Sequence, residues 1–137
     1  MQLQRIYTDA VAEPPPGLWS NCLRVGDQVF VSGMVALDKE GRLVGKRDSF
    51  AQAKFIFEYI QHYLVEAGGA MGDIASLNIF VTDMTHRPGV LEARRHFFTG
   101  DFPCSTLVAV SQLIDPDLLV EINAVAFIGA NRSSARV

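Results

Sequence analysis

The chain has 137 residues, 49% of them hydrophobic and 20% charged, with a net charge of −3 and two cysteines. This length is typical of one domain that folds without disulfides or metals, and the acidic balance without a basic stripe argues against nucleic acid as a partner. The first ten residues lack the layout of a secretory signal and no apolar run approaches the roughly 20 residues that span a bilayer, so we expect a cytoplasmic protein without membrane association.

The first part of the chain predicts three strands and a connecting arm. The run QLQRIYT alternates weakly, and the three successive prolines of EPPPG hold the next segment extended. In NCLRVGDQVFVSG, Gly26 and Asp27 stand between two alternating apolar runs, which predicts a hairpin whose second strand ends at Gly33.

A long amphipathic helix is predicted after the polar turn LDKEGRL. Apolar residues recur at three- and four-residue steps from Phe50 to Ala67, and two glycines follow. Ser49 followed by Gln52 resembles a capping box, which predicts Ser49 as the residue that caps the helix.

The second part of the chain predicts a strand, a helix and two more strands. IASLNIFVTDM is typical of a buried strand, and RPGVLEARRHFF predicts a helix with Pro88 near its start and its end near Gly100. CSTLVAV and LLVEINAVAFI predict two strands, and residues 129–137 predict a flexible tail. The order predicts a single α+β domain over 1–137, with two helices on one sheet face and the other face left for an oligomeric partner.

One carboxylate interrupts the last predicted strand. Side chains alternate along a strand, so Glu121 shares its face with Leu119 and Asn123 in an otherwise apolar run. Burying an ionised carboxylate costs several kcal/mol unless it is paired. Glu121 therefore has either a structural partner or a task in acid–base chemistry, and both interpretations stay open.

Other polar residues give weaker signals. A nucleophilic Ser105 or Cys104 would need a base, and no histidine stands at a motif spacing, so small residues filling a sheet are the favoured interpretation. Ser32 precedes a glycine that could free backbone N–H groups for an anion or form a plain turn. Arg87 could bind a carboxylate or be solvated, and Trp19 could anchor the core or wall a pocket.

The sequence predicts no metal or cofactor. Cys22 and Cys104 are far apart and show no metal-ligand spacing, which predicts two reduced thiols. Glycine-rich phosphate loops and the HExxH and GxSxG motifs are absent from the sequence.

Taken together, RVGDQVFVSGMVALDKEGRLVG, EAGGAMGDIASLNIFVTDM, RRHFFTGDFPCSTLVAV and LLVEINAVA resemble the Rid family (YjgF/RidA, reactive intermediate deaminase), formerly grouped as L-PSP endoribonuclease-like. The resemblance covers about residues 17–128. It implies a chorismate-mutase-like α+β fold with a mixed six-stranded sheet and two helices. It also implies a homotrimeric barrel with three clefts between subunits that bind a small-molecule metabolite.

The resemblance implies hydrolysis of enamine or imine products to keto compounds and ammonia, without a cofactor. The family's arginine in P-A-R-S grips the substrate carboxylate, and its glutamate in VEIEAIA is associated with the attacking water. Here the arginine position is Ser105, whereas the glutamate is kept as Glu121. A cation from the neighbouring helix, Arg87 or Arg94, could replace the arginine, or the cleft could bind a less anionic ligand.

The other cleft positions implied by the resemblance are partly altered. Ser32 and Gly33 match a Ser-Gly of the family, Trp19 takes the place of a tyrosine, and Leu91 takes the place of an asparagine. Thr106, next to Ser105, completes the predicted substrate-binding set.

Three functions are compatible with this resemblance. The first is a deaminase of an imine other than the small imino acids, with Glu121 positioning water. The second is a non-catalytic trimer that binds a metabolite as a sensor. The third is a ribonuclease, which the acidic charge and the absence of a basic patch disfavour.

Overall fold

Six strands of this computed structural model, which describes residues 1–131, form one sheet in the order β1-β2-β3-β6-β4-β5. Only β4 and β5 run parallel, so the sheet is mixed, and the predicted α+β fold with six strands and two α-helices is confirmed. The elements are β1 Leu3–Arg5, β2 Cys22–Val25, β3 Gln28–Met34, α1 Ser49–Glu66, β4 Ile74–Val81, α2 Arg87–Arg94, β5 Cys104–Ala109 and β6 Val120–Phe127.

The predicted hairpin joins β2 to β3. Val25 pairs with Gln28 across the two-residue turn, where Gly26 has a φ of 60° that favours glycine. The second strand continues past the glycine at which it was predicted to end. The pairing of β3 with β6 shifts between Val31 and Met34, which makes an irregularity centred on Ser32 and Gly33.

Helix α1 begins where predicted, but its cap is a different residue. Asp48 is the N-cap, and its carboxylate accepts a hydrogen bond of 3.0 Å from the backbone N–H of Ala51. The prediction that Ser49 caps the helix is therefore wrong. The Gln52 side chain is not part of a capping box either, because it is fully buried and accepts a hydrogen bond from the backbone N–H of Leu119 just before β6.

Helix α2 is shorter than predicted. It ends at Arg94 rather than near Gly100. The residues that follow form a tighter turn, in which the backbone N–H of Phe97 donates to the carbonyl of Arg94. The phenylalanines that extended the sequence pattern instead pack on helix α1. The ring centroid of Phe98 lies 5.8 Å from that of Phe57.

The two faces of the sheet differ in what covers them. On β6, Val120, Ile122, Ala124 and Ala126 are buried in the core beneath α1. The alternate residues of β6 lie on the opposite face, which is called the outer face below. On the outer face Phe30 and Phe127 are 39% and 42% exposed, so large apolar side chains remain uncovered there.

Neither helix within residues 1–131 is long and apolar enough to cross a bilayer. Cytoplasmic location stays a prediction. Of the tail predicted at 129–137, residues 132–137 lie outside the described part of the chain, and the backbone N–H of Asn131 donates a 3.0 Å hydrogen bond to Asp73.

Candidate functional site

A cavity of about 320 Å³ opens where the β3 irregularity meets the start of β6. It is lined by Trp19, Ser32, Gly33, Val35, Ile114 and Glu121. Four of these six residues, all but Val35 and Ile114, are among the predicted site residues. The fold therefore brings a tryptophan and a serine–glycine pair from the first part of the chain together with a carboxylate near its end.

Glu121 is the ionisable residue of this cavity. Its carboxyl group is half-buried, and within residues 1–131 it forms no hydrogen bond or ion pair. Burial raises the pKa of Glu121 above the ordinary glutamate value because an ionised carboxylate loses hydration there. A carboxylate in this setting is a stronger base than an exposed one, which suits it to proton transfer.

Gly33 makes room for the Glu121 side chain. A Cβ atom at this position would overlap the Glu121 carboxylate and would lie 2.8 Å from its Cδ atom. The glutamate side chain therefore lies directly across the β3 backbone. Glycine is needed at this position for close approach and not for a special backbone conformation.

Ser32 uses both of its donors within the chain. Its backbone N–H donates to the carbonyl of Asn21 at 2.8 Å, and its hydroxyl donates to the carbonyl of Ser20 at 2.6 Å. The oxygen lone pairs of the hydroxyl stay available, so Ser32 presents a hydrogen-bond acceptor to the cavity.

Trp19 forms the aromatic wall of the cavity and is 52% exposed. Its indole Nε1–H donates to the Oδ1 atom of the buried Asn21 at 3.0 Å, so the ring is held by its polar edge. The sequence left open whether Trp19 anchors the core or forms a pocket wall, and in the structure it lines the cavity. A tryptophan whose N–H is occupied offers mainly its π face to a ligand.

A buried polar network fixes Asn21 in turn. Its Nδ2 atom donates to the carbonyl of Ala12 at 3.1 Å and to the hydroxyl of Tyr63 on α1 at 2.9 Å. Tyr63 donates to Glu13 at 2.6 Å, and burial together with Glu13 raises the pKa of Tyr63. Glu13 also pairs with Arg5 at 2.9 Å. Sequence reasoning missed this network because no local pattern connects its members.

Ser105 lies away from the cavity. It pairs with Leu77 of β4, which pairs with Ala124 of β6. Because Ala124 and Glu121 are three residues apart on one strand, their side chains point to opposite faces of the sheet. Within one chain, Ser105 is therefore on the helix-bearing face and Glu121 on the outer face.

Thr106 shares the outer face with Glu121 but lies two strands away. It pairs with Asn78 of β4, and Asn78 pairs with Asn123 of β6. The Asn78 Nδ2 atom donates to Asn123 Oδ1 at 3.0 Å, so these amides satisfy each other on the outer face. Thr106 is exposed at the sheet edge and does not line the cavity.

The predicted residues of α2 also lie outside the cavity lining. Leu91 is half-buried, and Arg87 is exposed at the first position of the helix. The Arg94 guanidinium lies over the Phe102 ring at 5.9 Å from its centroid. Burial and the nearby Arg87 lower the pKa of Arg94.

No group of three histidine, cysteine, aspartate or glutamate residues within the described residues 1–131 could hold a metal ion. The two cysteines are free thiols, Cys22 buried and Cys104 exposed. Burial, and secondarily Glu13, raise the pKa of Cys22 to about 12, so this thiol stays protonated and inert.

The family model described as Endoribonuclease L-PSP matches residues 10–128. The chain belongs to this family, the Rid family. A Rid relative, the 3-aminoacrylate deaminase RutC of Acinetobacter baylyi, is 31% identical over 115 residues, which cover 84% of this chain and 90% of RutC. The resemblance found in the sequence is thereby confirmed.

Solved structures agree with this Rid assignment. A Pseudomonas aeruginosa protein superposes with a TM-score of 0.83 at 37% identity, over 93% of each chain. Escherichia coli TdcF, solved with bound serine, superposes with a TM-score of 0.82 at 26% identity, over 90% of this chain and 98% of TdcF. Both similarities extend through the sheet that carries the cavity.

Proposed function

We propose that this Rid protein is a homotrimer that hydrolyses an enamine or imine metabolite to a carbonyl compound and ammonia. The observation that carries the proposal is the half-buried, unpartnered carboxylate of Glu121 in a cavity with an aromatic wall. The 3-aminoacrylate deaminase activity in the name of RutC supports an enamine substrate, and the serine bound to TdcF supports a small-molecule ligand.

Glu121 acts as the base and then as the acid of this reaction. It accepts a proton from water as the water oxygen bonds to the imine carbon. It returns the proton to the nitrogen of the carbinolamine, the C–N bond breaks with its electron pair leaving on ammonia, and the hydroxyl proton passes to that ammonia as the carbonyl forms. A carboxyl group whose pKa burial raises suits both steps, because the ionised form is a stronger base than an exposed glutamate and the resulting acid can return the proton.

A second subunit supplies the other half of the cleft. We assign this half to Ser105, Thr106, Leu91 and Arg87, which lie outside the cavity of their own chain. The uncovered apolar side chains of the outer face supply the surface through which subunits associate. The separation of Ser105 from Glu121 within one chain is what a cleft shared between subunits requires.

Ammonia release from freshly generated enamines and imines tests the proposal. Glu121→Gln keeps the size of the side chain and removes the base, so we expect a rate at least about 100-fold lower than wild type. Glu58→Gln is the matched control, since Glu58 is an exposed glutamate on α1 outside the cavity, and it should retain full activity. Equal catalysed rates for wild type and Glu121→Gln would refute the role of Glu121, and a wild-type rate no higher than the uncatalysed rate would refute the deaminase function.

The same panel tests the non-catalytic alternative. A trimer that only binds a metabolite would be stabilised against heat by the ligand and would release no ammonia.

A further inference from the structure

The cavity around Glu121 is unusual in the kind of groups it presents. Trp19, Val35 and Ile114 give it apolar surface, and Glu121 is the one ionisable residue in its lining. No lysine, arginine or histidine lines it among the described residues 1–131. An anionic ligand would therefore face a carboxylate without a compensating positive charge on this wall.

The polar groups of the lining also favour a cation over an anion. The Trp19 N–H donates to Asn21 and the Ser32 hydroxyl donates to Ser20, so these side chains leave an aromatic face and an acceptor oxygen. An aromatic face attracts a cation within about 6 Å of the ring centroid and repels an anion. Glu121 adds an unpaired carboxylate beside that face.

The residues assigned to the partner's half do not reverse this preference. Ser105 and Leu91 carry no charge. Arg87 is exposed and, within residues 1–131, no hydrogen bond or ion pair holds its guanidinium in one orientation. Arg94 packs over Phe102 instead of projecting freely. A carboxylate clamp needs a guanidinium that is both held in place and turned toward the ligand; on α2, Arg87 is not held, and Arg94 is held against the Phe102 ring.

We propose that the substrate is the imine of a primary amine, with an apolar or aromatic body and no carboxylate. This inference rests on the proposed function and specifies its substrate class. The protonated imine lies against the Trp19 face and the Glu121 carboxylate, while the apolar body contacts Val35 and Ile114.

The reaction that follows is balanced without a cofactor. Water adds to the carbon of R–CH=NH₂⁺ and passes a proton to Glu121, which gives a carbinolamine. Glu121 returns the proton to the nitrogen, the C–N bond breaks, and the hydroxyl proton is released to the departing ammonia. The products are R–CHO and NH₄⁺, and no atom is oxidised or reduced. A two-electron oxidation of a primary amine is the class of reaction that supplies such an imine.

Two substrates that differ by one carboxylate test the inference. A flavin-dependent monoamine oxidase converts phenethylamine to its aldimine, and an L-amino acid oxidase converts phenylalanine to the corresponding imino acid. Glutamate dehydrogenase with NADH and 2-oxoglutarate reports ammonia as it is released, so the rate above the uncatalysed reaction measures catalysed hydrolysis. We expect a second-order rate constant at least about tenfold higher for the aldimine, which corresponds to about 1.4 kcal/mol of discrimination.

Variants connect the preference to named residues. Trp19→Leu removes the aromatic face and should lower the rate with the aldimine about tenfold, whereas Trp19→Phe should keep most of it. Ser105→Arg should raise the rate with the imino acid and reduce the preference. Circular dichroism verifies that each variant is folded.

The outcomes separate this inference from the proposed function. An equal or higher rate with the imino acid would overturn the inference and leave the deaminase function standing. If that imino acid activity were lost in Arg87→Ala, Arg87 would be the clamp. If the protein hydrolyses neither of these imines and does not hydrolyse 2-aminoacrylate, the proposed function itself is overturned.

Discussion

Glu121 combines two properties that seldom occur together in a stable protein. Its carboxylate is partly removed from water, and no hydrogen bond or cation within residues 1–131 compensates for the loss. The consequence is a group that destabilises the fold when it is ionised and that is suited to proton transfer for the same reason. Stability and activity should therefore respond in opposite directions to its removal.

The first prediction concerns the pH dependence of stability. Because burial raises the pKa of Glu121 in the native state, the native protein binds more protons than the unfolded chain between the ordinary and the raised pKa. The free energy of unfolding should fall as pH rises through that window. Glu121→Gln should lose this part of the pH dependence and be more stable than wild type at neutral pH.

Urea unfolding between about pH 4 and pH 8 measures the effect. The two proteins should have similar stability below the window, where the wild-type carboxyl is protonated in both states. A constant difference between the two curves over the whole pH range would contradict the prediction. Glu58→Gln, at an exposed site, should follow the wild-type curve throughout.

The second prediction concerns the close approach of Gly33 to Glu121. Gly33→Ala places a methyl group where the carboxylate lies, so the flexible end of the glutamate side chain must move, at a cost of no more than about 1 kcal/mol in unfolding free energy. Activity should fall as well, because the carboxylate leaves its position in the cavity.

A double-mutant cycle identifies the cause. In the Glu121→Ala background the carboxylate is absent, and Gly33→Ala should cost much less than in wild type. Urea unfolding of the four proteins gives the interaction energy. An equal cost in both backgrounds would place the conflict in the β3 backbone and not at Glu121.

At the scale of elements, the start of α1 shows where a sequence pattern was insufficient. Two overlapping patterns fit the sequence, since both Asp48 and Ser49 are good capping residues. The structure uses Asp48, and the reason lies outside the helix. Gln52, which a Ser49 capping box requires, is bonded to backbone groups at Gly45, Asp117 and Leu119.

The third prediction distinguishes the two caps. Asp48→Ala removes the acceptor for the Ala51 N–H and should cost about 1 kcal/mol of stability. Ser49→Ala is the matched control one residue away and should change stability by less than about half that amount. Urea unfolding measures both. A larger loss in Ser49→Ala than in Asp48→Ala would contradict the assignment.

The parts of the structure that could be predicted are those that depend on neighbours in sequence. The turn at Gly26 and the periodicity of α1 each arise within a few residues, and both are confirmed. The predicted end of α2 was wrong because Phe98 packs on Phe57, 41 residues earlier in the chain. Local patterns do not contain that contact.

The candidate site follows the same rule. Glu121 could be identified from the sequence because a charge interrupts an apolar strand. Asn21 could not, although it holds Trp19, because its partner Tyr63 is 42 residues away and the need for it arises only when both are buried. Buried polar networks depend on the assembled core, and so they are the features that sequence patterns miss.

At the scale of the whole molecule, the two faces of the sheet have different requirements. The helices cover one face, whereas Phe30, Phe127 and Val108 of the strands remain 39% to 42% exposed. These apolar side chains stand on both sides of the Asn78–Asn123 amide pair, and their exposure favours association with further copies of the chain. The cavity with Glu121 opens at the edge of this same surface, so assembly and activity should depend on each other.

The last prediction tests that dependence. Light scattering coupled to size exclusion should give three times the 15.0 kDa of one chain for wild type. Val125→Asp puts a charge in the middle of the outer face, where burial without a partner costs several kcal/mol, and should yield folded monomers without deaminase activity. Val65→Asp, at a 61% exposed position on α1, is the matched control and should stay trimeric and active. A trimeric Val125→Asp would show that subunits associate through another surface, and an active monomer would show that one chain completes the site.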